Sequence, residues 1–159
     1  VMINVFIISF ISIYFLSYLI NLRSKKYSFM DTIIDLFISM ILIDPLFYFF
    51  HKLFHSKYLY RYHKVHHELK NPNGFSSFYM HEIDFMFGNV LPSFLPLIIL
   101  SSTPVTIKYW IIITISNTIL ISHSGFDKIS NFHDNHHKYT YYNYGAGGYI
   151  DKLLNTYKI

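Results

Sequence analysis

The sequence predicts an all-α integral membrane protein. Four apolar helical segments are expected to form two hairpins, capped by a cytosolic helical domain that holds a histidine-rich dinuclear metal site. Three observations carry that expectation. Of the 159 residues, 52% are hydrophobic, 20% aromatic and only 14% charged, a balance outside the ordinary range of soluble domains. The apolar residues gather into runs of membrane-crossing length. All ten histidines fall in clusters beside those runs. The length suits a single domain, taken as 1–159. The absence of cysteine excludes disulfides and thiolate metal sites, leaving nitrogen and oxygen as metal donors. The formal charge of +4 is modest, and its basic residues lie near the histidines and the ends of the apolar runs. They read as membrane-surface charges, with no nucleic-acid footprint.

Residues 1–50 make the first hairpin. Residues 1–20 carry no charged side chain, and twenty helical residues extend about 30 Å, the thickness of a hydrocarbon core. The stretch lacks the basic leader and small-residue cleavage site of a signal peptide. The chain opens on Val1 rather than Met, as expected if a preceding piece is missing. Arg23, Lys25 and Lys26 mark a membrane–water boundary. Residues 29–50 form the second span. Its Asp31, Asp35 and Asp44 are expected near an interface or facing protein, and Pro45 is placed to kink it.

Residues 51–82 are the first histidine region. They are too polar to cross a bilayer and are helical in period up to Leu69, before the turn Asn71-Pro72-Asn73-Gly74. Residues 85–122 make the second hairpin, interrupted by Pro92, Pro96 and Pro104. The 105–122 part is long enough to span. The 85–100 part is short and proline-kinked, and is expected to penetrate only in part, with the tip near Ser101-Ser102-Thr103. Residues 123–159 are the second histidine region, polar and aromatic, with a turn at Gly145, Gly147 and Gly148. Two hairpins return both histidine regions to one side of the membrane. Nine of the thirteen Lys and Arg residues lie on that side, which places it in the cytosol by the positive-inside rule, although Arg23, Lys25 and Lys26 lie opposite.

Five histidines fall between His51 and His67 (HKLFHSKYLYRYHKVHH). His63, His66 and His67 have the spacing H-x-x-H-H, and His133, His136 and His137 repeat it; His81 and His123 complete the ten. On a helix, i, i+3 and i+4 share a face, so each box is expected to point its imidazoles together. Ten imidazoles exceed one four-ligand zinc site and suffice for two ions. Neither the H-E-x-x-H of zinc proteases nor the E-x-x-H pairs of soluble di-iron bundles occurs. Neutral imidazole suits iron, copper, zinc and nickel. An all-imidazole pair of Fe(II) ions with open positions can activate O2 against an unactivated C–H bond, while the protein positions that bond and keeps out water. A lipid reaching up from the bilayer is the natural substrate. Two other classes compete: a haem cytochrome, which would carry histidines within its spans, and a non-catalytic or decayed metal-binding protein. Asp44 is either a hydrogen-bond partner inside its helix or an acceptor that orients His51 or His55. An ordinary imidazole pKa of about 6.5 predicts that metal occupancy falls by pH 5.

The three boxes, H-x3-H (His51, His55), H-x2-H-H (His63, His66, His67) and H-x2-H-H (His133, His136, His137), resemble those of the fatty acid hydroxylase superfamily. Its members are integral membrane di-iron oxygenases, among them sterol C-4 methyl oxidases, sterol C-5 desaturases and fatty acid hydroxylases. Asp44 and Tyr48 resemble the D-x3-Y-x2-H lead-in. Tyr60 to Glu68 (YRYHKVHHE) is similar to the Y-K-x-x-H-K-V-H-H-E of sterol methyl oxidases, His123-Ser124-Gly125 to their H-S-G, and Asn143-Tyr144-Gly145 to the N-Y-G of sterol enzymes. Tyr149 to Thr156 resembles a degraded W-W-D-R-x-F-G-T motif in which Tyr149 and Ile150 replace the tryptophans. The resemblance covers roughly residues 40–157.

That resemblance implies that His51, His55, His63, His66, His67, His123, His133, His136 and His137 are ligands of two iron ions. It implies that His81 is a further ligand or a supporting group, and that Asp44, Tyr48 and Asn143 lie behind the ligands. It further implies O2 as co-substrate and a sterol or fatty acyl lipid as substrate, hydroxylated or desaturated in lipid biosynthesis. Electrons would come from NAD(P)H through a cytochrome b5-type donor and its reductase. The location implied is the endoplasmic reticulum or an equivalent cell membrane.

Overall fold

The computed structural model describes residues 26–70, 73–124 and 131–158, together with positions 10, 11, 14, 15 and 18. The span expected over 1–20 lies outside the described residues except at those five positions, which are helical. Among the described residues every regular element is helical and none is a strand.

Helix α1 covers Phe29–Phe54. Ser28 starts it, its hydroxyl accepting the backbone N–H of Asp31 at 3.3 Å, and so satisfying one of the donors a helix start leaves free. Pro45 lies inside the helix without ending it. The buried face of α1 is mostly polar, with Thr32, Asp35, Ser39, Asp44, Tyr48 and His51 followed by Phe54 at its end. Its outer face is apolar, with Phe37 64% exposed and Ile33, Ile34 and Ile41 also open. A helix of a soluble protein has the reverse pattern. Apolar side chains facing outward and ionisable ones facing the bundle suit a helix whose solvent is lipid.

A π-helical stretch, Asp84–Val90, runs straight into α2, Leu91–Ile99. The chain then turns, with the N–H of Ser102 bonded to the carbonyl of Leu97 at 3.0 Å, and enters α3, Pro104–Asn117. Thr103 caps α3 by accepting from Thr106 N–H at 3.3 Å, and Pro104 sits in the first turn, where its missing N–H costs nothing. A second π-helical turn, Thr118–Ser122, extends α3. Of the apolar segments, α1 and the stretch Pro104–Ser122 are long and apolar enough to cross a membrane, while Asp84–Ile99 is shorter. The core between them joins Met80, Phe85, Val90, Phe94, Leu97, Ile107 and Trp110. The indole N–H of Trp110 is satisfied by the Ser93 carbonyl at 2.9 Å.

The first histidine region departs from its helical periodicity. In place of one helix to Leu69, α1 ends at Phe54 and the chain folds back through α4, Tyr60–His63, and a 3-10 turn, His66–Glu68. The carbonyl of Ser56 begins this reversal by accepting from Tyr60 N–H at 2.9 Å. A straight continuation would carry His63 away from His51; the reversal brings their rings to 4.8 Å. The second histidine region supplies α5, Asn131–Tyr139, and α6, Tyr149–Leu153.

Candidate metal centre

Nine histidines converge into two groups. His51, His55, His63, His67 and His136 form one, and His66, His123, His133 and His137 the other; within each group the donor atoms lie within 4.8 Å of one another. The sequence expectation that each box acts as a unit is corrected here. The i, i+4 pairs stay together, His51 with His55, His63 with His67, and His133 with His137. The middle members cross over: His66 joins the third box and His136 joins the first two. Adjacent residues on a helix diverge by about 100°, so His66 and His67 face different groups, as do His136 and His137.

Backbone carbonyls fix the tautomers. His51 Nδ1 lies 2.8 Å from the carbonyl of Tyr144, His136 Nδ1 2.6 Å from that of Tyr142 and His123 Nδ1 3.2 Å from that of Thr118. A carbonyl only accepts, so each of these rings carries its proton on Nδ1 and leaves Nε2 bare. His63 donates from Nδ1 to the Asp84 carboxylate at 2.7 Å. The bare nitrogens then face each other. His51 Nε2 and His63 Nε2 are 3.0 Å apart, His63 and His67 Nε2 3.0 Å, His136 and His55 Nε2 3.1 Å, and His136 and His67 Nε2 3.2 Å. Opposed lone pairs repel unless a cation lies among them. In the second group, the buried Nε2 atoms of His123, His133 and His137 have no hydrogen-bond partner among the described residues, which is rare for buried polar atoms.

The donor set fits metal ions. Metal–imidazole bonds of about 2.0–2.1 Å put donors at right angles about 2.9 Å apart and tetrahedral donors about 3.3 Å apart. The spacings in the five-histidine group, 3.0–3.2 Å, fall between these values, and five donors exceed the four of a structural zinc site.

Burial keeps the rings neutral, as metal binding requires. Desolvation lowers His67 and His123 to about 4. Desolvation, with neighbouring imidazolium charge, takes His55 and His137 to about 2, and holds His63, His66, His133 and His136 well below the ordinary value. Burial lifts Asp84 to about 7; a cation held by His63 would draw it down again.

The remaining predicted residues take other places. His81 stands outside both groups; it is 36% exposed, its Nδ1 accepts from Ile83 N–H at 3.1 Å, and its ring meets that of Tyr62. Asp44 binds neither His51 nor His55 among the described residues. Its carboxylate instead accepts the N–H groups of Gly147 at 2.6 Å, Gly148 at 3.0 Å and Ile150 at 3.0 Å. Gly148 has φ +81°, where a side chain is strained. Asp44 thereby clamps the loop that presents the Tyr144 carbonyl to His51. Tyr48 accepts from the Lys52 ammonium at 3.0 Å and the Thr156 hydroxyl at 3.3 Å. Asn143 donates to the carbonyls of Phe132 and Lys158 at 2.7 and 2.6 Å, tying α5 to the chain end.

Four contributors escaped the sequence reading. Asp84 leads an apolar stretch, a position where a carboxylate needs a reason, but nothing local pairs it with His63. The carbonyls of Tyr142 and Tyr144 have no sequence signature. Asp151 holds Tyr144 N–H at 2.9 Å and Gly145 N–H at 2.7 Å.

A cavity of about 200 Å³ opens beside the histidines. Ile43 and Phe47 of α1, Phe85 and Phe94, and Ile111 and Ile115 of α3 give it apolar walls, while His51, His63, His66, His123 and His133 line it from both groups.

Comparison with known proteins adds an independent finding. A family profile described as fatty acid hydroxylase matches residues 36–156, a range that contains all ten histidines. The chain is 33% identical over 129 residues to fatty acid hydroxylase domain-containing protein 2 of Macaca fascicularis, covering 78% of this chain and 38% of that protein. It is 31% identical over 130 residues to methylsterol monooxygenase 1 of Gallus gallus, covering 73% and 43%. It is 30% identical over 135 residues to the very-long-chain aldehyde decarbonylase GL1-11 of Oryza sativa subsp. japonica, covering 74% and 50%. The chain thus spans half or less of the length of these relatives. No solved structure matches it.

Proposed function

The chain belongs to the fatty acid hydroxylase family, and on that premise we propose that it is an iron- and O2-dependent membrane oxidoreductase acting on a lipid C–H bond. The reaction is hydroxylation, or the related desaturation, of a sterol or fatty acyl substrate in lipid biosynthesis. One observation carries this reading: two groups of neutral imidazoles, with bare nitrogens turned inward, line an apolar cavity between helices suited to a membrane.

Each part of the chain has a task in that reaction. His51, His55, His63, His67 and His136 would hold one iron, and His66, His123, His133 and His137 the other. When bound, the irons supply the activation of O2 that no side chain here can provide. Ile43, Phe47, Ile111 and Ile115 bind the apolar body of the substrate and keep water from the reacting carbon. The carbonyls of Tyr142, Tyr144 and Thr118 hold protons at the Nδ1 atoms of His136, His51 and His123, which keeps each Nε2 free to ligate. Asp44 and Asp151 act one step further out, by fixing the loop that carries Tyr144.

Electrons come from outside the chain, from NAD(P)H through a cytochrome b5-type donor and its reductase. Lys57, Arg61, Lys64 and Lys70 are exposed on the histidine side and offer an acidic donor a complementary surface. The same charges favour a cytosolic face for that side, on the endoplasmic reticulum or an equivalent membrane.

The test is product formation. The iron-loaded protein in nanodiscs receives sterol or acyl lipids, 18O2, NADPH, cytochrome b5 and its reductase, and the lipids are read by mass spectrometry. The expected product gains one labelled oxygen or loses two hydrogens, and none forms with His66→Ala. Absence of any oxidised lipid across both classes would reject the reading.

A further inference from the structure

We propose that Asp84 is a positioning residue for the five-histidine half of the centre, holding His63 so that this half alone depends on it. The inference rests on the metal-binding reading above. Asp84 is 1% exposed and heads the π-helical stretch, outside all three histidine boxes in sequence. Its Oδ2 accepts from His63 Nδ1 at 2.7 Å, while Oδ1 is buried with no hydrogen-bond partner among the described residues. Taking a carboxylate out of water for one hydrogen bond is costly, so a purely structural role is a poor explanation for it. A cation on the far side of His63 supplies the missing compensation, because the imidazole then links carboxylate and metal in one charge-assisted chain.

The surroundings are built for this placement. Gly88 lies one turn along from Asp84, and a Cβ there would collide with Asp84 Oδ1. The absent side chain lets the carboxylate stand where His63 can reach it. His63 in turn holds the centre of its group, with Nε2 3.0 Å from both His51 and His67. By contrast His51 and His136 are oriented by neutral backbone carbonyls. Removing the anion therefore falls on a ring that touches two other ligands of the same group.

The two halves can be told apart by titration. The metal-free full chain in nanodiscs is titrated anaerobically with Fe(II) against a competing chelator, with Co(II) absorbance as a second probe. His55→Ala identifies the equivalent held by the five-histidine group, and His133→Ala the other. Asp84→Asn should weaken the first equivalent about 10–100-fold, as loss of such an outer partner does, and leave the second within about twofold. Asp84→Ala should weaken it further. Gly88→Ala changes no ligand and should reproduce the selective loss by displacing the carboxylate. Equal weakening of both equivalents, or no weakening of either, overturns the assignment. If the unaltered chain binds neither metal, the metal centre itself is rejected; if it binds both with the selective loss but oxidises no lipid, the Asp84 assignment stands and the proposed reaction falls.

Discussion

Single residues decide whether the centre exists, because each imidazole must be neutral and correctly turned. The pH response follows from burial. His67 and His123 sit near 4 in the folded chain against an ordinary value of about 6.5. Above 6.5 both folded and unfolded chains carry neutral rings. Below it the unfolded chain takes up protons that the folded chain refuses, so stability falls as the pH drops from 6.5 towards 4. The loss of metal by pH 5 expected from free imidazole is therefore recast as a loss coupled to unfolding. Metal release and loss of helical circular dichroism should coincide in an acid titration, and the metal-free chain should unfold at higher pH than the loaded one. Metal leaving an intact fold near pH 6 would contradict this. Replacing His137 by Ala should abolish lipid turnover while the protein still enters membranes; retained turnover would remove it from the ligands. At this scale the i, i+4 pairs were legible, because that spacing stacks side chains on one face whatever the context. The crossing of His66 and His136 was not legible, since it depends on a 3-10 turn and on contacts between the chain's two halves.

Elements decide how long the residues stay in place. The loop between α5 and α6 is held by two buried carboxylates, Asp44 and Asp151, through five backbone N–H groups. Asp44→Ala leaves three of those donors without their acceptor, at a cost of about 2–4 kcal/mol. Hydrogen exchange at Gly147, Gly148 and Ile150 should then rise by at least tenfold, and iron affinity should fall because the Tyr144 carbonyl no longer orients His51. Unchanged exchange at those amides would show that the clamp is incidental. The helices of 29–54 and 104–122 were readable as apolar runs, and the turn between α2 and α3 from Ser101-Ser102-Thr103. The reversal between Phe54 and Glu68 was hidden, because its helical period is real but tertiary pairing of His63 with His51 overrides it. The role of Asp44 was half visible: its burial inside an apolar helix called for a partner, yet the partners are amides more than a hundred positions away.

Across the molecule an apolar core of Phe85, Phe94, Leu97 and Trp110 adjoins the buried carboxylates and hydroxyls of α1, while further phenylalanines and isoleucines cover the outside. Such an outer face suits a hydrocarbon solvent. Phe37→Lys or Ile112→Lys should each oppose insertion by about 2.5–3.5 kcal/mol and shift protein from the membrane to the soluble fraction on flotation; undiminished flotation of the double variant would remove these faces from the lipid contact. The proposed lipid and metal sites adjoin, because the cavity that opens on both histidine groups is walled by those same helices. The measurement that bears most directly on the account is elemental analysis of anaerobically purified protein. Two irons per chain is the result expected from two separate histidine groups. A single zinc per chain, or no metal at all, would contradict the dinuclear centre and with it the oxidation of a lipid.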